Sequence, residues 1–500
     1  MFWVCELKVY LFAKQIAEIF VILYKQQIQL MDDDFDFNDD FQRFSESISR
    51  FENMIKNDTP GFFDVEEIEY LIDFYMDKNQ MSKVEKIIEI GESLHPYSIE
   101  LQLKKAQFYQ NIHRPNKSLK LLNKLEQIEP TNIDLLYLKA SVYSQLRENK
   151  KSIEYYQKLL PLVEEDELEE ILMHIAFEYE NLRNYHEAVN YFKQVLKNNP
   201  GNETAVFELT FCYEITNQLE EGVKFFQKFL DYHPYSSSAW YNLGTTYFKL
   251  GLFEKAIDAF EFVIAINEHY TPAYYGKAGA LFELERYNEA INTYFQVFDI
   301  EEPDAQIYHN IAESYEKLED YTQAIQYYKK AIALNPIYSD AYMGMAVSYN
   351  ELGQNKSALF FAKKGVELDE KNADFQYIFG DILKANGFYE EAILAYSKVI
   401  QLLPDTKSIW LDLAETFREY LDIEHAIEVL HKGLEQHADY ALYHYRLTAY
   451  YLMKNDITDA VKHMEKAIHS DASEVTELVE FYPECINFEE IILLIENIGK

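Results

Sequence analysis

One period governs this sequence. In Ser237 to Tyr270, large apolar residues fall at the fourth, seventh and eleventh positions (Trp240, Leu243, Tyr247), and a small residue, Gly244, sits at the eighth. After a turn at Gly251 comes a second half, with a small residue at position 20 (Ala256) and an aromatic at position 24 (Phe260). Both halves carry the i, i+3, i+4, i+7 spacing of an amphipathic helix. Steps of 34 residues reproduce the pattern from 237 to 474. Backward steps give starts at Glu203 and Glu169, then a two-residue insertion (Glu167, Leu168), then starts at Ile133, Ile99 and Val65. The chain therefore reads as twelve tandem units over 65–474. Such a period excludes one compact core, because each helix pair buries its apolar face only against its neighbours.

The recurring residue types have steric reasons. Position 8 is Gly, Ala or Thr in all units but the first, where it is Ile72, and position 20 is Gly, Ala or Ser in all but the first, where it is Val84. Small residues there let two antiparallel helices approach closely, and a neighbouring aromatic fills the hole. Position 11 is Tyr in nine units. Pro at position 32 (Pro96, Pro130, Pro200, Pro234, Pro336, Pro404) stops the second helix. Gly or Asn at position 15 in six units suits a left-handed turn between the helices. Lys105, Lys139 and Lys277 break the apolar rule at position 7, so these side chains are expected to snorkel or their helices to be slightly rotated.

This pattern resembles the tetratricopeptide repeat family, over about four-fifths of the chain. The resemblance implies an all-α fold, a right-handed α-solenoid of stacked antiparallel helix pairs, with the first helix of each pair lining the inner surface. On a helical wheel, positions 2, 5, 9 and 12 form a stripe away from the core, with 13 at its edge. By the same resemblance this stripe lines a concave groove.

The fifth position is aromatic in six units: Tyr137, Phe207, Tyr241, Tyr275, Tyr377 and Tyr445, with His309 continuing the row. Acidic residues outnumber basic ones by more than four to one on the stripe, against 85 to 46 over the chain. Asp73, Asp134, Glu170, Glu313, Asp340, Asp374, Asp381 and Glu415 are examples. Two readings stand: ordinary solvated helix faces, or a peptide groove. In the second, aromatics supply contact area, and Asp73, Glu313, Asp340, Asp381 and Glu415 select partners bearing basic and apolar residues. One subset of the family clamps a C-terminal carboxylate with Lys, Arg and Asn at set stripe positions. Here no Lys or Arg stands at position 2 or 5 and no Asn at 9, so that clamp is absent.

A net charge of −39 argues against nucleic acid and anionic membranes as main partners. No phosphate-loop, dinucleotide, nucleophile-elbow or metalloprotease motif occurs, so neither catalytic residues, metal ligands nor a cofactor are expected. His425, His431 and His437 are spaced by six, which does not stack them on one face. Cys5, Cys212 and Cys485 lie too far apart in sequence for a disulfide framework, which favours a reducing, cytoplasmic setting.

The ends carry open alternatives. Residues 1–30 are apolar but interrupted by Glu6, Lys8, Lys14, Glu18 and Lys25, short of a membrane span. They read as a segment outside the translated chain with Met31 as the start, as an inert leading helix, or as a membrane-surface anchor of an assembly factor. Residues 31–64 are an acidic leader, rich in Asp with Phe35, Phe37 and Phe41 interspersed, followed by a lead-in helix near Phe41 to Ile55. The leader reads as a solvated tail or a short docking motif. Residues 475–500 are expected to cap the array, with a final helix at Phe488 to Ile498; its apolar run, Ile491 to Ile495, also suits a dimerisation helix.

Overall fold

The computed structural model describes residues 37–57, 61–496 and 498. The leading segment 1–30 and most of the acidic run lie outside them. Among the described residues the chain is helical throughout, with two short 3₁₀ turns at Ala472–Glu474 and Pro483–Asn487 and no strand. It forms two compact units, Met1–Gln218 and Leu219–Lys500. The division falls between the helices Glu203–Ile215 and Leu219–Tyr232.

Within each unit, consecutive helices pack in chain order, as a solenoid requires. Local chemistry starts each pair. Asp64, Ser98, Asn132, Asn202, Ser236, Asp304 and Asn372 cap first helices by accepting the backbone N–H three residues on. Such caps satisfy amides that have no partner inside the helix. The turn between the helices is marked by a residue at positive φ: Asn79, His113, Arg147, Arg183, Asn217, Gly251, Glu285, Glu319, Gly353, Gly387 and Asn455. Successive members are 34 apart, with 36 between Arg147 and Arg183 where the insertion lies and a gap at Leu421, whose φ is −114°. Five of these are neither Gly nor Asn, so the turn geometry overrides residue preference.

The small residues do what their size allows. A Cβ on Gly244 would lie 2.8 Å from the Phe260 ring, and one on Gly380 2.6 Å from the Tyr396 ring. The same aromatic position also touches the next pair: a Cβ on Gly276 would lie 2.5 Å from Phe260. In the first pair the volumes are exchanged. Position 24 is Ile88 rather than an aromatic, and Ile72 and Val84 fill the space, both fully buried beside Phe51.

The three position-7 lysines end on carboxylates, Lys105 and Lys277 near the surface and Lys139 in the interior. Each reaches a glutamate on the preceding helix: Lys105 to Glu92 at 2.5 Å, Lys277 to Glu261 at 2.7 Å, and Lys139 to Glu126. Lys139 is only 1% exposed and lies over the Tyr155 ring. Tyr155 also donates to Glu126, at 3.0 Å. A buried ammonium needs this full set of partners to offset its lost hydration.

The lead-in helix spans Phe37–Asn57 and packs Phe51 against Phe63 and Tyr75. At the other end, Val475–Phe481 is cut at Pro483, and the last helix is Glu489–Glu496. Leu478, Cys485 and Ile491 are buried against Tyr445, Leu452 and Met464, while Leu493 stays exposed.

Candidate functional site

In the first unit an open cavity of about 780 Å³ is lined by three successive first helices. The lining includes Glu69, Leu103 and Tyr137 at position 5, Glu100 and Asp134 at position 2, and Asp73 at position 9. These are the stripe positions of the helical wheel. Asp73 pairs with Lys104 at 2.6 Å. Desolvation raises the Glu69 pKa; Lys104 opposes this, while Glu100, Asp73 and Asp134 add to it. Four carboxylates and one ammonium thus share a concavity where water is thinned, and the field there is negative. Tyr137 donates to Glu170 at 2.7 Å, and its ring meets His174 edge-on. Phe207 is 38% exposed.

In the second unit the position-5 row has a common support. Each ring rests on the position-24 ring of its own pair: Tyr241 on Phe260 at 5.8 Å, Tyr275 on Tyr294 at 6.2 Å, His309 on Tyr328 at 5.5 Å, and Tyr377 on Tyr396 at 6.0 Å. Tyr137 does the same on Tyr156 in the first unit, at 5.8 Å. The constant separation of 19 residues is a signal readable in the sequence, but a wheel drawn for one helix at a time does not show it. These rings are half-buried, so they present one edge to solvent and are held from behind. Burial, then Asp304 and Glu301, push the Tyr275 phenol up to about 12. His309 Nδ1 is buried without a hydrogen-bond partner, with Tyr338 on its other side at 5.0 Å. Met343 is buried and interrupts the row.

The carboxylates divide. Glu313 is half-buried and Asp340 exposed. Asp381 accepts from Tyr396 at 2.6 Å and Asp412 from Tyr377 at 3.2 Å. Desolvation raises both carboxyls, although Asp381 keeps an accessible surface: it is walled in without being covered.

Two expected groove residues are committed elsewhere. Tyr445 is 1% exposed, covered by the C-terminal segment, and its hydroxyl donates to the Asp471 carbonyl at 2.9 Å. Glu415 accepts both Arg418 nitrogens, at 2.6 and 3.0 Å, and the Tyr450 hydroxyl at 2.9 Å, with Arg446 at 3.9 Å. Desolvation pushes its pKa up, but Arg418 above all, with Tyr450 and Arg446, outweighs that and leaves it lowered. Neither offers a free group to a partner. Cys212 is buried, and burial with Glu180 beside it raises the thiol, so it is held protonated. No group of three or more His, Cys, Asp or Glu among the described residues is placed to hold a metal ion.

Segments 237–270 and 305–338 match one tetratricopeptide repeat signature, and 133–161, 169–202 and 339–372 match a second. Each match starts on a unit boundary of the 34-residue register. Among solved structures, the chain is similar to the C-terminal part of a TPR repeat-containing protein from Cytophaga hutchinsonii, at 18% identity over 48% of this chain and 98% of that one, TM-score 0.41. It is also similar to a tetratricopeptide repeat protein from Parabacteroides merdae, at 19% identity over 50% and 98%, TM-score 0.40. A third is YrrB, described as a TPR protein with an unusual peptide-binding site, at 20% identity over 37% and 95%, TM-score 0.31. No curated protein matches. The chain carries tetratricopeptide repeats in these five segments.

Proposed function

We propose that this protein is a non-enzymatic scaffold that holds an extended, basic and apolar segment of a partner protein along its inner stripe. The coarser statement, a repeat scaffold for protein–protein interaction, follows from the repeats. The finer one rests chiefly on the first unit's cavity, where Glu69, Asp73, Glu100 and Asp134 surround an open space beside Tyr137. Rings supported from behind lose little entropy on binding, and clustered carboxylates favour Lys and Arg over acidic competitors. In the second unit Tyr241, Tyr275, His309 and Tyr377, with Glu313, Asp340 and Asp381, offer the same chemistry. The reading takes 65–474 as the array and 475–500 as its cap. Cytoplasmic residence belongs to the same proposal, supported by two buried unpaired cysteines, Cys212 and Cys485. No described helix is long and apolar enough to cross a membrane.

The test is selection of phage-displayed dodecapeptides on the full chain and on a Glu69→Gln/Asp73→Asn/Glu100→Gln/Asp134→Asn variant. The wild type should enrich peptides combining Lys or Arg with Leu or aromatic residues, and the variant should lose the basic preference. Equal enrichment on both, or enrichment of acidic peptides, overturns the assignment.

A further inference from the structure

Some second helices of the second unit depart from the chain's acidic balance, and a row of lysines runs across them. Position 26 is Lys in five successive pairs: Lys330, Lys364, Lys398, Lys432 and Lys466, all exposed. Lys329 and Lys363 stand beside the first two, also exposed. On the helices Tyr321–Leu334, Asn355–Leu368 and Tyr389–Leu402 there are six lysines and three acidic residues, whereas the chain as a whole holds 46 basic residues against 85 acidic. Of the three acids, Glu367 is paired with Lys364 at 2.6 Å, and Glu390 and Glu391 lie at a helix start. Lys363 and Lys398 make no ion pair among the described residues.

The row is not purely polar. Leu334, Phe360 and Leu394 lie one turn from a position-26 lysine and are 56%, 57% and 70% exposed. Each helix thus presents a large apolar side chain and an ammonium at i, i+4 on its exposed face. Three successive second helices offer both apolar and charged contacts to a partner.

We propose that this lysine row docks the acidic leader of a second copy of this chain, Met31 to Phe41. Charge complementarity selects it. The leader holds six aspartates (Asp32, Asp33, Asp34, Asp36, Asp39, Asp40) with Phe35, Phe37 and Phe41 among them. It matches an alternation of ammonium and apolar groups with one of carboxylate and phenyl. A nucleic acid or an anionic membrane offers the charge, but phosphates leave Phe360 and Leu394 without apolar contact, which the leader's phenyl rings supply. The row shares no residue with the inner stripe.

The experiment is a charge swap read by sedimentation velocity of the full chain at low salt. Wild type should show concentration-dependent association that 0.5 M salt removes, since exposed pairs are screened there. Lys330→Glu/Lys363→Glu/Lys398→Glu should weaken it at least tenfold with helicity unchanged. A leader variant with Asp32, Asp33, Asp34 and Asp36 changed to Lys should fail alone and associate when mixed with the Glu variant. Absence of wild-type association, indifference to the lysine variant, or failure of the mixture to associate overturns the proposal. So does tighter binding of phosphatidylserine vesicles or a duplex oligonucleotide through the same lysines.

Discussion

Tyr137 and Tyr445 occupy the same position of the repeat and meet different fates. Tyr137 lines an open cavity and gives its hydroxyl to a carboxylate of the next pair. Tyr445 is sealed under the C-terminal segment and gives its hydroxyl to a backbone carbonyl. Their surroundings differ in charge too. Around Tyr137 and Asp73, one Lys104 faces four carboxylates. Near the C-terminal end, Arg418 and Arg446 neutralise Glu415, and Arg446 also stacks on Phe481 at 3.4 Å. Position in the repeat decides which way a side chain points. The segment packed next along the chain decides whether that side chain remains available.

The sharpest way to break this contrast is truncation. Tyr445→Ala should cost about 3–5 kcal/mol, the range for removing a large buried ring, while Tyr137→Ala should cost under about 1 kcal/mol because a half-exposed ring loses less contact. Urea unfolding with hydrogen exchange over 441–496 checks it; equal costs would mean the two tyrosines are not distinguished by the cap. Next in size is a pH effect confined to the C-terminal end. His444 and His463 are buried, Nδ1 to Nδ1 at 2.9 Å, with His431 beside them. Desolvation lowers all three, His463 to about 3, with Lys462 and Lys466 adding to the depression and Asp459 and Glu435 opposing it at His431. The folded state therefore binds protons less readily than the unfolded one. Stability is full above about pH 6.5 and falls as the pH drops below it, by up to about 1.4 kcal/mol per pH unit where His463 titrates in the unfolded chain but not in the folded one. His444→Leu/His463→Leu should flatten that slope in urea melts at pH 7 and pH 5; an unchanged slope would place the sensitivity elsewhere. The smallest effect is kinetic. With a selected basic dodecapeptide, Glu69→Gln/Asp134→Asn should slow association a few-fold at low salt only, and Glu415→Gln should leave it unchanged, in stopped-flow fluorescence. A matching loss in Glu415→Gln would erase the distinction between steering and committed carboxylates.

The helical register was readable because sterics repeat it. Small residues at 8 and 20 and the turn at 15 fixed the spacing, and eleven left-handed residues reproduce it. The stripe around the first unit's cavity came from the same wheel. Three things were not fully legible in that way. The burial of Tyr445 depends on residues 471–491, whose packing has no period to read. The neutralisation of Glu415 was half legible, since Arg418 stands at i+3, but Arg446 and Tyr450 come from the next pair. The division near Gln218 left no mark in the register, because unit 203–236 keeps the pattern across it.

The lysines at position 7 bear on how such an array can grow or shrink. Glu92–Lys105 and Glu126–Lys139 are both 13 residues apart and occupy the same two positions in consecutive pairs. Excision of 99–132 would join Ser98 to Ile133 and set Lys139 against Glu92 at that same separation, so the seam would close with its charge matched. Excision of 133–168 would instead leave Glu126 facing Ile175, a carboxylate with no cation. Repeats that look alike by their apolar pattern are thus not freely exchangeable: where position 7 is Lys, the ion pair types the junction, and it restricts which copies can be lost or duplicated in one step.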